Sequence, residues 1–169
     1  MATLWVGSRK GLFRFDERSG QWASAGEPQF LAAPVTAILD DARDGTLYIA
    51  LAHGHFGCKF HRSDDRGKTW TEFSAPAFPP SDATDAPSVE MIWCLAAGGR
   101  DESGVLWAGT LPGGLFRSDD GGQRFVRIND DRHRYGRLLS MTADPLVYIT
   151  GASSGIGQAL ALRFARAGW

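Results

Sequence analysis

Short runs of alternating apolar and polar residues recur along the chain, and their order repeats before residue 131. Alternation over a few residues, bounded by Gly, Pro, Asn, Asp or Ser, is typical of half-buried β-strands. Segments 3–22, 46–70 and 105–125 share one plan: an apolar strand, a glycine-containing connection, a second strand with an aromatic residue and an Arg, a polar turn and a further aromatic residue. The pattern predicts a repeat protein made of antiparallel strands.

Two more apolar runs, VTAILDDA at residues 35–42 and EMIWCLAAG at residues 90–98, precede the second and third copies. With these runs, each of the two copies has four short strands separated by turn residues. Four such strands describe a blade of a β-propeller better than a β-sandwich. We therefore expect a mainly β fold, a partial β-propeller over residues 1–133 with two full four-stranded blades plus part of another.

Two polar turns, SDDRGKTW at residues 63–70 and SDDGGQRF at residues 118–125, have the form Ser-x-Asp-x-Gly. An Asp in such a turn accepts hydrogen bonds from the backbone of the turn, and glycine allows a positive φ. The first copy has Phe15 where Ser is expected, which predicts a plain hairpin. The predicted structural residues of the two turns are Ser63, Asp65, Gly67, Trp70, Ser118, Asp120, Gly122 and Phe125.

These turns resemble the Asp box of the bacterial neuraminidase repeat, which occurs in sialidase-like propellers and in many non-enzymatic relatives. The segments GLFR, HFGCKFHRSDD and TLPGGLFRSDDGG are similar to bacterial propeller proteins commonly labelled glycosyl hydrolases. The resemblance implies that the Asp boxes lie on one face of the propeller. It also implies that the functional loops, here AHGHFG, LPGG and residues 75–90, lie on the opposite face.

The candidate ligand loop contains His53, His55, Phe56 and Glu90. An H-x-H pair offers two ligands where a zinc site wants three or four, so a plain polar loop is the preferred interpretation and no metal is expected. A glycosidase needs two carboxyl groups across the scissile bond. Glu90, Asp82 and Asp85 are available, but no catalytic set can be assigned. Four arginines recur with the repeat, which favours a structural role for them: Arg9, Arg14, Arg62 and Arg117.

Residues 145–169, PLVYITGASSGIGQALALRFARAGW, combine an apolar strand, a glycine-rich turn and a helical pattern. One interpretation is a further blade, with LLSMTA and LVYITG as strands. The other is the start of a short-chain dehydrogenase/reductase, since the turn resembles the T-G-x-x-x-G-x-G motif of that family. The matching positions are Thr150, Gly151, Ser153, Ser154, Gly155, Ile156 and Gly157.

The resemblance implies an NAD(P) pyrophosphate site at this turn, because glycines let the backbone approach the phosphates at a helix N-terminus. The catalytic Ser, Tyr and Lys of that family lie far downstream of the motif. We therefore expect a truncated, Rossmann-type strand–turn–helix fragment at residues 145–169 after a junction at residues 134–144. Its cofactor site is expected to be vestigial, with no bound NAD(P).

Composition limits the partners: 18 basic and 19 acidic residues give a net charge of −1, which predicts neither nucleic-acid nor membrane binding. The N-terminus lacks a signal-like pattern, so the expected location is cytoplasmic. Open strand edges of a partial propeller predict possible self-association.

The function expected from these features is a non-catalytic binding or scaffold remnant of a sialidase-like or glycosyl hydrolase-type repeat protein, fused to a truncated dinucleotide-binding motif. The alternative is that the chain is an enzyme of one of the two families that its parts resemble. It would then be an NAD(P)-dependent short-chain oxidoreductase or a sialidase-like glycoside hydrolase.

Overall fold

A computed structural model describes residues 2–54, 57–80 and 87–128. These residues form three antiparallel sheets and contain no α-helix. The predicted mainly β fold is confirmed. The predicted junction and the Rossmann-type fragment at residues 145–169 lie outside the described residues. Chain contacts divide the protein into Met1–Asp131 and Arg132–Trp169, and every described residue belongs to the first unit.

Each sheet is a meander in which strands that follow one another along the chain pair side by side. The first sheet contains β1 (Thr3–Ser8), β2 (Gly11–Arg18) and β3 (Gln21–Ser24). The second contains β4 (Val35–Asp40), β5 (Leu47–Ala52), β6 (Cys58–Ser63) and β7 (Thr71–Phe73). The third contains β8 (Met91–Ala97), β9 (Leu106–Leu111), β10 (Gly114–Ser118) and β11 (Val126–Arg127).

The three sheets share one register. Trp5 pairs with Arg14 in the first sheet, and the same two positions pair in the other sheets, as Tyr48 with Arg62 and Trp107 with Arg117. The inner strands β4 and β8 each carry a bulge at the same point, at Thr36 and Trp93. The sequence repeat is therefore also a repeat of strand pairing.

The sheets stack through apolar faces, because side chains alternate between the two sides of each strand. A core cluster of Leu12, Ala33, Ile49 and Leu51 lies between the first and second sheets. A second cluster lies between the second and third sheets, and its fully buried members include Phe60, Leu106 and Phe116. The second sheet is thus covered on both faces.

Polar contacts also connect the second and third sheets. The Thr36 hydroxyl, at the β4 bulge, donates to the carbonyl of Ile92 at 2.6 Å. Arg43 forms an ion pair with the buried Asp41 at 2.6 Å and donates to the carbonyl of Val105 at 2.9 Å. The pKa of the Asp41 carboxyl is lowered, and the main cause is its hydrogen bonds from the Arg43 guanidinium. Buried charges require such partners, and the hydrogen bond to Val105 links this pair to the third sheet.

Among the described residues, no helix is long and apolar enough to cross a membrane.

Candidate functional site

The Ser-x-Asp-x-Gly turn of the second sheet is held by its own side chains. Ser63 Oγ donates to Asp65 Oδ1 at 2.8 Å and accepts from the backbone N–H of Gly67 at 2.7 Å. Asp65 Oδ1 also accepts from the backbone N–H groups of Lys68 and Thr69 at 3.0 and 2.9 Å. The carboxylate is therefore turned toward the backbone of its own turn.

The turn of the third sheet repeats the hydrogen bonds between its Ser, its Asp and the turn backbone. Ser118 Oγ donates to Asp120 Oδ1 at 2.8 Å and accepts from the backbone N–H of Gly122 at 2.9 Å. Asp120 Oδ1 accepts from the backbone N–H of Arg124 at 2.9 Å. In the first sheet, the corresponding β2–β3 connection is a two-residue hairpin in which Ser19 and Gly20 both have positive φ.

Hydrogen bonds to these carboxylates favour their charged forms. The N–H of Thr69, followed by its hydroxyl, holds the pKa of Asp65 far below its usual range. At Asp120, partial burial raises the pKa, but hydrogen bonds led by the Arg124 N–H outweigh it, and the net shift is downward. Both groups are ionised turn residues at neutral pH and are poorly suited to proton transfer.

The turn glycines also contact the neighbouring sheet. A Cβ on Gly122, which has a φ of +89°, would lie 2.6 Å from Phe60 Cε1 of the second sheet. A Cβ on Gly67 would collide with the Trp5 ring of the first sheet in the same manner. The half-buried rings of Trp70 and Phe125, at the ends of the two turns, pack against the two core clusters. The observed geometry of both turns serves sheet packing.

Three of the four recurring arginines have equivalent surroundings. Arg14, Arg62 and Arg117 each form an ion pair with the Asp two residues later, at 2.9, 2.7 and 2.7 Å. Each guanidinium also lies 5.3–5.9 Å from the centre of the aromatic ring that its own cross-strand partner carries. These positions use Arg for both charge and ring contact.

At the opposite end of the strands are the β5–β6 and β9–β10 loops and the residue before β8. His53 and Glu90 are exposed, and their backbone N–H groups donate to the carbonyls of Gly57 and Leu111 at 2.9 and 2.8 Å. His55, Phe56, Asp82 and Asp85 lie outside the described residues. The proposed ligand loop is thus described only in part, and its role stays a prediction. Residues 2–54, 57–80 and 87–128 contain no cluster of three or more metal-ligating side chains.

Phe78 lies in the connection that leads to this loop end. Its ring packs edge-on against the buried Phe116, with 5.6 Å between the ring centres, and the Arg127 guanidinium lies 4.9 Å above it. The ring therefore anchors its own segment to the core.

A cleft of about 120 Å³, which the sequence did not predict, lies where the first sheet meets the 63–70 turn. Its lining includes Trp5, Gln29 and three cations, which are Arg14, Arg66 and Lys68. The Gln29 side chain spans the sheets here, since it donates to the carbonyl of Gly67 at 2.8 Å and accepts from Trp70 Nε1 at 2.6 Å. No sequence pattern indicates this cleft, because its lining residues come from three separate segments of the chain.

No family model matches the chain, and its sequence relatives include several xyloglucanases. A xyloglucanase from a Paenibacillus species is 47% identical over 55 residues, which cover 31% of this chain and 5% of that protein. Xyloglucanase Xgh74A of Acetivibrio thermocellus is 30% identical over 149 residues, 66% of this chain and 17% of that protein. An oligoxyloglucan-reducing end-specific xyloglucanase of Emericella nidulans is 27% identical, covering 85% and 17%.

One solved structure, described as YCF48 bound to D1 peptide, matches 73% of this chain and 35% of that chain, with 16% identity and a TM-score of 0.47. The chain spans 17% or less of the length of the xyloglucanases reported above. The N-terminal part is glycosyl hydrolase-like in sequence, and its repeated meander sheets have the form of propeller blades.

Proposed function

We propose that residues 1–133 are a structural segment of a glycosyl hydrolase-type β-propeller, with no hydrolytic activity of their own. The observation that carries the proposal is the repeat of pairing register and turn hydrogen bonds in sheets whose sequence is similar to xyloglucanases. In this proposal the two Ser-x-Asp-x-Gly turns are Asp boxes with a folding role. The opposite loop end, with His53 and Glu90, faces the ligand of the complete propeller.

The proposed lack of activity follows from the chemistry of hydrolysis. A pair of carboxyl groups has to lie across the scissile bond, roughly 5–10 Å apart. Closed propellers contain about four to eight blades, so the three sheets described for a single copy do not enclose a central funnel by themselves. Among the carboxylates considered for catalysis, only the exposed Glu90 lies in the described residues.

Reducing-sugar release from xyloglucan oligosaccharides, with an aryl sialoside as a second substrate, tests this proposal. We expect no release above the buffer blank from the full chain, and the same result from Glu90→Gln. Turnover that disappears in Glu90→Gln would contradict the proposal and would favour the hydrolase alternative.

We propose that residues 145–169 derive from the start of a short-chain dehydrogenase/reductase, whose glycine motif they resemble. We also propose that this segment does not bind NAD(P). A dinucleotide contacts several strand ends of a Rossmann sheet, whereas the sequence of residues 145–169 predicts one strand, one turn and one helix. Titration calorimetry with NADH and NADPH is expected to give no saturable heat. Saturable binding that is lost when Gly155 and Gly157 are both replaced by Leu would revive the oxidoreductase alternative.

We also keep a cytoplasmic location as a proposal. Cys58 and Cys94 are free, half-buried thiols, which suits a reducing compartment.

A further inference from the structure

The described part of the chain ends in two different apolar faces. On the first sheet, the side chains that point away from the second sheet include Leu4 and Val6, which are 46% and 36% exposed. On the third sheet, the face directed away from the second sheet carries Trp93 and Val126, which are both about half exposed. We call these the first-sheet face and the third-sheet face. Exposed apolar patches of this kind mark interaction sites.

The residues that occupy the same repeat positions in the other two sheets indicate what the first-sheet face is suited to contact. Leu4 and Val6 correspond to Leu47 and Ile49 of the second sheet, which are 1% and 0% exposed. In the second sheet this face packs on the first sheet, through the cluster that holds Leu12 and Ile49 together. The third sheet uses the same positions, Leu106 and Ala108, to pack on the second sheet. The first-sheet face is therefore the receiving half of an interface that the chain already forms twice.

The third-sheet face is the other half of that interface. Trp107, Gly109 and Arg117 correspond to Tyr48, Ala50 and Arg62, the positions by which the second sheet contacts the third. Trp93 corresponds to Thr36, whose hydroxyl bonds directly to the next sheet. Gly109 occupies the same repeat position as Gly7, where the absence of a side chain leaves room for Val35 and Ile38 of the neighbouring sheet. The face is thus built like two faces that are covered within the same chain.

We propose that the third-sheet face of one copy packs on the first-sheet face of a second copy, in a head-to-tail dimer. Two complementary faces on one chain define a heterologous contact, which forms a ring if its rotation closes. The described residues of two copies supply six sheets, three from each copy. Six lies within the four to eight blades with which propellers close. The dimer is independent of the proposed hydrolase ancestry, since it rests only on the repeated interface.

Sedimentation velocity of the full chain over a range of concentrations tests the dimer. We expect the wild type to sediment as two chains, and we expect Val6→Glu and Trp93→Glu to sediment as single chains, because each places a charge in both contacts of the ring. Leu31→Glu is the matched control: Leu31 is 67% exposed but lies in the connection between β3 and β4. This variant should remain dimeric.

A mixture of Val6→Glu and Trp93→Glu provides the decisive arm. Each variant retains one unaltered face, so the mixture can form one head-to-tail contact and should regain a two-chain species. That recovery also shows that both variants are folded. A wild type that stays monomeric, forms an open series of larger oligomers, or keeps its dimer in either variant would overturn the proposal. So would a mixture that remains monomeric, because a dimer that joins two like faces is not restored by mixing.

Discussion

Leu4, Leu47 and Leu106 occupy the same position of the repeat, yet Leu4 is 46% exposed whereas the other two are 1% and 0% exposed. The strand pattern is the same in all three sheets. The difference lies in the neighbour, because Leu47 and Leu106 have a preceding sheet and Leu4 has none among the described residues. Position in the stack, rather than local sequence, therefore decides how much each residue of the repeat stabilises the fold.

The largest expected effect on stability comes from truncating these equivalent leucines. Leu47→Ala or Leu106→Ala should lower the free energy of unfolding by about 2–5 kcal/mol, because a buried leucine is lost and a cavity remains. Leu4→Ala should cost less than about 1 kcal/mol, since that side chain is already half in water. Urea unfolding of dilute protein measures all three variants. Equal losses at Leu4 and Leu47 would mean that stacking does not control their contribution.

A smaller effect is expected where a turn meets the neighbouring sheet. Gly122→Ala adds a methyl group 2.6 Å from Phe60 Cε1 in a residue with positive φ. Gly20→Ala is the matched control, because Gly20 has a similar φ of +78° but no atom within 4 Å of the added Cβ. The control should cost roughly 1–2 kcal/mol for the left-handed backbone alone, and Gly122→Ala should cost clearly more. Similar thermal midpoints for the two variants would contradict the proposed contact between sheets.

The smallest effect concerns His61, which corresponds to Phe13 and Phe116 of the other sheets. Burial lowers the pKa of His61, although Glu72 opposes the shift, and the imidazole packs 5.0 Å from the Phe30 ring. Because the unfolded chain binds this proton more readily, the contribution of His61 is present above about pH 6.5 and decreases as the pH falls below it. His61→Phe should flatten the loss of stability between about pH 7 and 5. Denaturant midpoints across this range give the comparison, and parallel profiles for the two proteins would be evidence against it.

The strands and their grouping were predictable because alternation and turn residues act locally. The extra inner strands at residues 35–42 and 90–98 were found from the same signal, and the hairpin after Phe15 was expected from the missing Ser. The Arg43–Asp41 pair and the cleft at Gln29 were not predictable from the sequence. Both join segments that are distant in sequence and come into contact only when the sheets stack, so no local sequence pattern predicts them.

The candidate site was less predictable than the fold. The turn residues could be named because their chemistry is local to eight residues, and the same holds for the arginine next to each turn. The loop end joins separate loops, so no spacing along the chain relates His53 to Glu90.

Native-state hydrogen exchange of dilute, monomeric protein tests the central claim most directly, namely that each sheet is held in place by its stacked neighbours. Strands covered on both faces open only with global unfolding, whereas strands with one exposed face open locally at lower free energy. We predict that the amides of β5 exchange most slowly and those of β1 clearly faster, although the two strands have the same place in the repeat. Equal protection of β1 and β5 would contradict the claim.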